Sequence, residues 1–212
     1  MKIGICGGTF DPFHRGHLDP VLAVRERVQW DRVLYVPAHV QPFKQERRTA
    51  SAFHRFAMVA LAIADHDALF ATPMELERGR VSYTVETLEE LRAQHPRDTL
   101  DWIIGDDNLA QLLEWKSIER IFELANFVVL TRVADKSGGH ESALPKELQS
   151  RVIGIDQRPT HGAISFAENA TVPISSTVIR QHVQNGQIIE HLVPPPVSRY
   201  IHHYGLYRKD HS

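Results

Sequence analysis

The sequence predicts an α/β fold with a mostly parallel, doubly wound sheet. Short apolar runs, which indicate buried strands, alternate with segments of helical periodicity along most of the 212 residues. Strands separated by helices pair in parallel, because the connecting helix crosses over the sheet. The stretch over about 171–212 carries helical segments alone. We therefore expect a Rossmann-like single domain with a core over about 1–170 and a small helical C-terminal subdomain.

The first 72 residues supply three predicted strands and two predicted helices. The apolar runs at 2–6 and 32–36 are short and bounded by glycine or proline, as buried parallel strands are. A helix is expected between them at about 16–29. Ser51 offers an N-cap oxygen to a second helix over 52–64, and a third strand is expected near 69–72.

The rest of the chain continues the alternation. Further strands are predicted at 100–105, 127–130, 152–155 and 163–166. Further helices are predicted at 84–95, 107–113, 117–124 and 175–185, and from the triple proline at 194–196 through Tyr200. Pro96 ends one of these helices and Gly186 another, since proline cannot continue a helix and glycine favours its C-terminal cap. The stretches 37–49 and 134–145 are predicted loops.

The charge balance favours a small anionic partner over nucleic acid. Lysine and arginine together number 24, and aspartate and glutamate number 26. A formal net charge of −2 lacks the positive field that nucleic-acid binding needs. No apolar run approaches the roughly 18 residues of a membrane span, and a strand follows Met1 where a signal peptide would stand. We expect no contact with a membrane.

The single cysteine, Cys6, predicts a reducing, cytoplasmic location, because it has no partner within the chain for a disulfide. The oligomeric state stays open, with a homo-oligomer as one option. Three tyrosines near the C-terminus are expected to serve packing or an interface: Tyr200, Tyr204 and Tyr207.

A glycine turn and two histidines stand between the first strand and the first helix. Unpaired amides and the helix dipole at that helix N-terminus favour an anion. Gly7 and Gly8 lack the Cβ atoms that would hold a triphosphate away from the backbone, and His14 and His17 can face one group. Alone, each element has an ordinary explanation, since paired glycines are common in turns and lone histidines on surfaces.

A second anion site is predicted near the C-terminus. Ser175 and Ser176 open a helix, and Arg180 follows about one turn later on the same side. Serine hydroxyls accept from first-turn amides, so simple N-capping is the alternative interpretation. The guanidinium of an arginine beside them adds paired, charged N–H donors whose geometry matches phosphate oxygens.

Together the two segments resemble a known superfamily. GGTFDPxHxGH resembles the N-terminal signature of the HxGH nucleotidyltransferases, and ISSTxIR resembles their C-terminal motif. The resemblance implies that ATP is bound by Gly7, Gly8, Thr9, Phe10, His14, His17, Ser175, Ser176 and Arg180. It implies further that His14, His17 and Arg180 are catalytic. Mg²⁺ is expected to arrive on ATP, since it binds mainly through substrate phosphates.

The middle of the chain offers a site for the second substrate. Asp107 follows a predicted strand at the edge where open parallel sheets bind ligands, and Trp115 lies among polar neighbours on a helix junction. A core tryptophan is the alternative. SYTxxTL, GxDxxxxxxxW and FVVLTR resemble the bacterial nicotinate-nucleotide adenylyltransferases, which join nicotinate mononucleotide and ATP into deamido-NAD and pyrophosphate.

This resemblance implies that Trp115 stacks on the nicotinate ring, that amides around Thr84 receive its carboxylate, and that Asp107 lies near the ribose. The other residues implied for this substrate are Lys44, Tyr83, Gly105 and Arg132. One departure is Phe43, which stands where members of the family usually carry a histidine and which cannot donate a hydrogen bond.

Two alternatives stay open at this point. The first is a related enzyme, either a pantetheine-phosphate adenylyltransferase or a cytidylyltransferase. The second is a nucleotide sensor without turnover, motivated by Phe43. A metal site at 65–67 or at His202 and His203 is rejected, because no cysteine or third histidine has ligand spacing to either cluster.

Overall fold

The computed structural model describes residues 1–40, 49–132, 143–169 and 174–208. Within these ranges, six parallel strands form one sheet in the order β3-β2-β1-β4-β5-β6. The strands are β1 (Lys2–Gly8), β2 (Arg32–Pro37), β3 (Leu69–Ala71), β4 (Thr99–Gly105), β5 (Asn126–Arg132) and β6 (Ile164–Asn169). The chain runs outward from β1 in one direction to β3 and in the other from β4 to β6, so the order reverses between β1 and β4.

Helices cover both faces of the sheet. They are α1 (Arg15–Val28), α2 (Ala52–Ile63), α3 (Met74–Arg78), α4 (Thr84–Gln94), α5 (Ile118–Leu124), α6 (Ser176–Gln184) and α7 (Pro195–Tyr204). One apolar core lies under α1, α2, α6 and α7, and the other lies under α3, α4 and α5. The helical C-terminal segment therefore packs on the same core as the first two helices.

Alternating side chains in the central strands separate the two cores. In β1, Ile3 and Ile5 pack on the α4 side, whereas Gly4 faces the α1 side. A Cβ on Gly4 would lie 3.0 Å from both Ile103 and the indole of Trp30, so a larger residue would crowd the core. The central strands are apolar on both faces because both are covered by helices.

Most predicted elements are present with small shifts of their ends. Ser51 caps α2 as predicted, since its Oγ accepts from the amide of His54 at 3.3 Å. The predicted edge strand at 152–155 is wrong: 3₁₀ turns span Lys146–Arg151 and Ile155–Gln157, and Val152 alone pairs with Ile164. The helix predicted at 107–113 is a 3₁₀ helix over Asp106–Glu114.

Candidate active site

A cavity of about 890 Å³ opens between the carboxyl ends of β1 and β4, where the strand order reverses. Thirteen of the residues predicted for the site line it: Gly7, Gly8, Thr9, Phe10, His14, His17, Tyr83, Thr84, Gly105, Asp107, Trp115, Ser176 and Arg180. Residues from both ends of the chain and from its middle therefore share one cavity. Such crevices are where open α/β sheets bind their ligands.

Three predicted residues are placed differently or lie beyond the description. Ser175 is exposed, and its Oγ accepts from the amide of Thr177 at 3.2 Å, so it acts as the N-cap of α6. Lys44, with Phe43 beside it, lies outside the described residues, and of Arg132 only the backbone is described, within β5.

The two glycines that were predicted to form a turn are the last residues of β1, and packing within the protein requires both to be small. A Cβ on Gly7 would lie 2.6 Å from the indole of Trp102, and one on Gly8 would lie 2.9 Å from the ring of Phe10. Both missing side chains thus make room for aromatic rings. The sequence argument, which assigned the space to a triphosphate, did not foresee these neighbours.

The two histidines are held against each other at the start of α1. Their rings stack with centroids 3.7 Å apart, and the amide of His14 donates to Nδ1 of His17 at 3.2 Å. A neutral His17 that accepts at Nδ1 carries its proton on Nε2. The backbone of His17 is fixed by Tyr35, whose hydroxyl donates to its carbonyl at 3.1 Å. Both rings line the cavity.

His14 is buried and neutral at physiological pH. Its relative exposure is 4%, and this burial lowers the pKa of the imidazole from 6.5 to about 4. Its Nδ1 and the Oγ1 of Thr9 are buried without a hydrogen-bond partner among the described residues. Both residues line the cavity, and unpaired buried polar atoms at a cavity wall indicate a site that a ligand completes.

Helix α6 is hydrogen-bonded directly to the loop between β1 and α1. The hydroxyl of Ser176 donates to the carbonyl of Pro12 at 3.2 Å, and Nη1 of Arg180 donates to the carbonyl of Asp11 at 2.6 Å. A second guanidinium nitrogen of Arg180 donates to Oγ1 of Thr177 at 3.2 Å. The late arginine therefore reaches the same cavity as the early histidines.

The opposite end of the cavity presents an aromatic side chain beside a helix N-terminus. Trp115 is half-buried, with its ring 5.8 Å from that of Phe127, so one part of it packs on the core and another faces the cavity. Tyr83 is the N-cap of α4 and Thr84 is its first residue. The Nζ of Lys116 lies 4.0 Å from the centre of the Tyr83 ring. A planar anionic ring fits such surroundings.

Comparisons with known proteins agree with this geometry. Residues 5–182 match the cytidylyltransferase-like family model. A protein of Syntrophotalea carbinolica named probable nicotinate-nucleotide adenylyltransferase is 40% identical over 98% of each chain. A protein of the same name from Desulfatibacillum aliphaticivorans is 38% identical over 98% of this chain and all of its own. The chain belongs to the nicotinate-nucleotide adenylyltransferase family.

Solved structures show the same fold. The nicotinic acid mononucleotide adenylyltransferase of Plasmodium falciparum, solved in complex with NaAD, has a TM-score of 0.72 at 20% identity and 97% coverage of both chains. This agreement confirms the predicted Rossmann-like α/β class. Among the described residues, no helix combines the length and the apolar character needed to cross a bilayer.

Sequence reasoning missed Arg55, which hydrogen-bonds to the carbonyls of Thr9 and Ala38, two residues that line the cavity. Arg55 is 1% exposed, and its side chain donates to four backbone carbonyls in two connections, β1–α1 and β2–α2. These carbonyls belong to Thr9, Ala38, His39 and Ala50, at 2.6 to 3.2 Å. The only sequence signal for this role is an arginine within the otherwise apolar run of α2.

Glu75 was missed as well. It is 3% exposed, lines the cavity and accepts from Oγ1 of Thr87 at 2.5 Å and from the hydroxyl of Ser82. Burial raises the pKa of its carboxyl. The Oγ of Ser82 accepts in turn from the amide of His39 at 3.1 Å. Glu75 thereby anchors the segment that leads into Tyr83 and α4.

Proposed function

We infer that this protein transfers the adenylyl group of ATP to nicotinate mononucleotide, yielding deamido-NAD and pyrophosphate. The observation that carries this function is the meeting of three segments at one cavity. The early histidines and Arg180 line one part of it, and Tyr83 with Trp115 lines another. A site for a triphosphate thus adjoins a site for a planar anionic ring. The names carried by the full-length relatives support the same reaction.

The reaction requires positioning more than proton transfer. A phosphate oxygen of nicotinate mononucleotide forms a bond to the α-phosphorus of ATP, while the bond from that phosphorus to the pyrophosphate oxygen breaks. The attacking phosphate is already anionic at neutral pH, so no base has to activate it. The protein has to align the two phosphates and stabilise the charge that shifts onto the leaving group.

We propose that His14, His17 and Arg180 provide this stabilisation. A neutral His14 donates through one N–H, and the geometry of His17 leaves its proton on Nε2. Arg180 adds a permanent positive charge that phosphate oxygens accept well. Removing one such donor typically lowers turnover by about 10²- to 10³-fold. Gly7, Gly8, Thr9 and Phe10 form the wall around the nucleotide.

We propose that the acceptor binds between Trp115 and the start of α4. The first amides of a helix lack intrahelical partners, so those at Thr84 can receive the nicotinate carboxylate. Nicotinamide would be disfavoured, since its amide NH₂ group cannot accept those hydrogen bonds. Asp107, with Gly105 beside it, lies at the end of β4 in reach of a ribose bound in the crevice.

Magnesium belongs to the proposal as part of the substrate. The described residues contain no group of three His, Cys, Asp or Glu side chains suited to hold a metal. We propose that Mg²⁺ enters on ATP and that Lys44 and Arg132 contribute further positive charge to the bound phosphates.

An acceptor panel tests the function. The protein is incubated with Mg²⁺-ATP and, separately, nicotinate mononucleotide, nicotinamide mononucleotide or phosphopantetheine, and released pyrophosphate is measured. We expect strong release with nicotinate mononucleotide and far less with its amide. Pyrophosphate release with phosphopantetheine alone would show that the protein uses another acceptor. Tight ATP binding without pyrophosphate release would indicate a nucleotide sensor.

A further inference from the structure

The C-terminal end of the chain returns to the glycine turn through one tyrosine. Tyr207 follows α7, and its hydroxyl donates to Oδ1 of Asp11 at 2.6 Å. The same oxygen accepts from the amide of Ala50 at 3.1 Å. Asp11 is 5% exposed and lines the cavity, so a buried carboxylate at its wall is held by two donors from distant parts of the chain.

Asp11 also lies against Arg180. While its carbonyl accepts from Nη1 of Arg180, its Oδ2 lies 3.9 Å from that nitrogen, at the outer limit of an ion pair. The side chain of Arg180 is 16% exposed and lines the cavity. A carboxylate that swung toward it could form the close, bidentate pair that arginine favours, and would then compete with phosphate for the same donors.

Tyr207 is suited to prevent this competition. Its side chain is half-buried, and desolvation together with the charge of Asp11 raises the pKa of the phenol far above the physiological range, so the hydroxyl stays a donor. Its bond fixes Oδ1 on the side of Ala50 and withdraws charge from the carboxylate. The backbone at Tyr207 has a φ of +64°, a left-handed conformation that turns the chain after α7.

We propose that Tyr207 is a positioning residue for ATP: by holding the Asp11 carboxylate, it leaves the Arg180 guanidinium available to the triphosphate. The inference rests on the proposed function, in which Arg180 binds phosphate. It gives a role in substrate binding to a residue that lies nearly two hundred positions from the glycine turn.

The test compares Tyr207→Phe with Tyr200→Phe. Each removes one phenolic hydroxyl, but that of Tyr200 contacts Nδ1 of His54 at 3.0 Å, between α7 and α2, and Tyr200 does not line the cavity. We expect Tyr207→Phe to raise the KM for ATP by about tenfold, the effect of losing one hydrogen bond to a charged group. The KM for nicotinate mononucleotide should change less than twofold, and Tyr200→Phe should leave both constants unchanged.

A second variant separates competition from simple loss of structure. Asparagine at position 11 is uncharged, so Asp11→Asn in the Tyr207→Phe background should return the KM for ATP toward the wild-type value. A Tyr207→Phe protein whose two KM values are unchanged, or rise equally, would overturn the inference, as would a double variant with no recovery. Wild-type protein without activity on the two substrates would instead overturn the proposed function.

Discussion

The burial of His14 predicts a specific loss of stability in acid. Its pKa is lowered from 6.5 to about 4, so between these values the unfolded chain binds a proton at this position and the folded chain does not. The contribution to the free energy of unfolding is complete above pH 6.5 and is lost as the pH falls toward 4. A shift of this size corresponds to about 3 kcal/mol.

Urea unfolding of the wild type and of His14→Asn between pH 4 and 7.5 measures this loss of stability. Asparagine is a favoured residue at the N-cap position that His14 occupies in α1, and it does not titrate. The difference in free energy of unfolding between the two proteins should shrink by about 3 kcal/mol from pH 7 to pH 4. His161→Asn changes an exposed position, so its free energy of unfolding should change with pH as that of the wild type does. A constant difference for His14→Asn would refute the reasoning.

Three further substitutions have defined outcomes. Trp115→Ala should raise the KM for nicotinate mononucleotide at least tenfold more than that for ATP in steady-state assays, since base-like rings stacked on aromatics gain about 1–3 kcal/mol. Gly7→Ala should destabilise the fold by about 2–4 kcal/mol in urea, because its Cβ would lie 2.6 Å from Trp102. Glu75→Gln should become more stable relative to the wild type as the pH rises above 4.5. Above that pH the carboxyl of the unfolded wild type ionises, whereas the buried carboxyl of the folded protein has a raised pKa and keeps its proton to higher pH.

Each of these predictions has a contrary result, and the two stability predictions also have a control variant. Equal changes in both KM values would make Trp115 a core residue. Gly154→Ala is the control for Gly7, since its Cβ would meet Gln157 at an ordinary 3.6 Å; equal stability of both variants would contradict the packing argument. Glu77→Gln, exposed on the same helix as Glu75, should show no such pH trend, and a shared trend would contradict burial as the cause.

Local patterns predicted most of the fold because each central strand is apolar on both faces and each long helix repeats its apolar side. The failures occur where pairing depends on distant residues. Val152 and Ile153 are as apolar as a strand requires, but Gly154 begins a turn, so the pairing with β6 is limited to one bridge at Val152 and the hydrogen bonds of Ile153. Helix α3 has five residues, too few for a periodic signal.

The residues of the site, too, were predictable only in part. Motifs that are continuous in sequence identified the histidines, Arg180 and Trp115, all of which line the cavity. The contacts that arrange them join residues far apart, such as Arg55 with Thr9 and Tyr207 with Asp11, and no local pattern reveals such pairs. A motif located the glycines as well, but it gave no sign that the indole of Trp102 packs against Gly7.

We infer that residues near the two ends of the chain bind one triphosphate, while residues from the middle of the chain bind the acceptor. A crystal structure with a non-hydrolysable ATP analogue and nicotinate mononucleotide tests this most directly. We expect the triphosphate within hydrogen-bonding distance of His14 or His17 and of Arg180, with the pyridine ring against Trp115. A triphosphate that contacts the histidines but lies away from Arg180, or an acceptor ring bound elsewhere, would contradict the account.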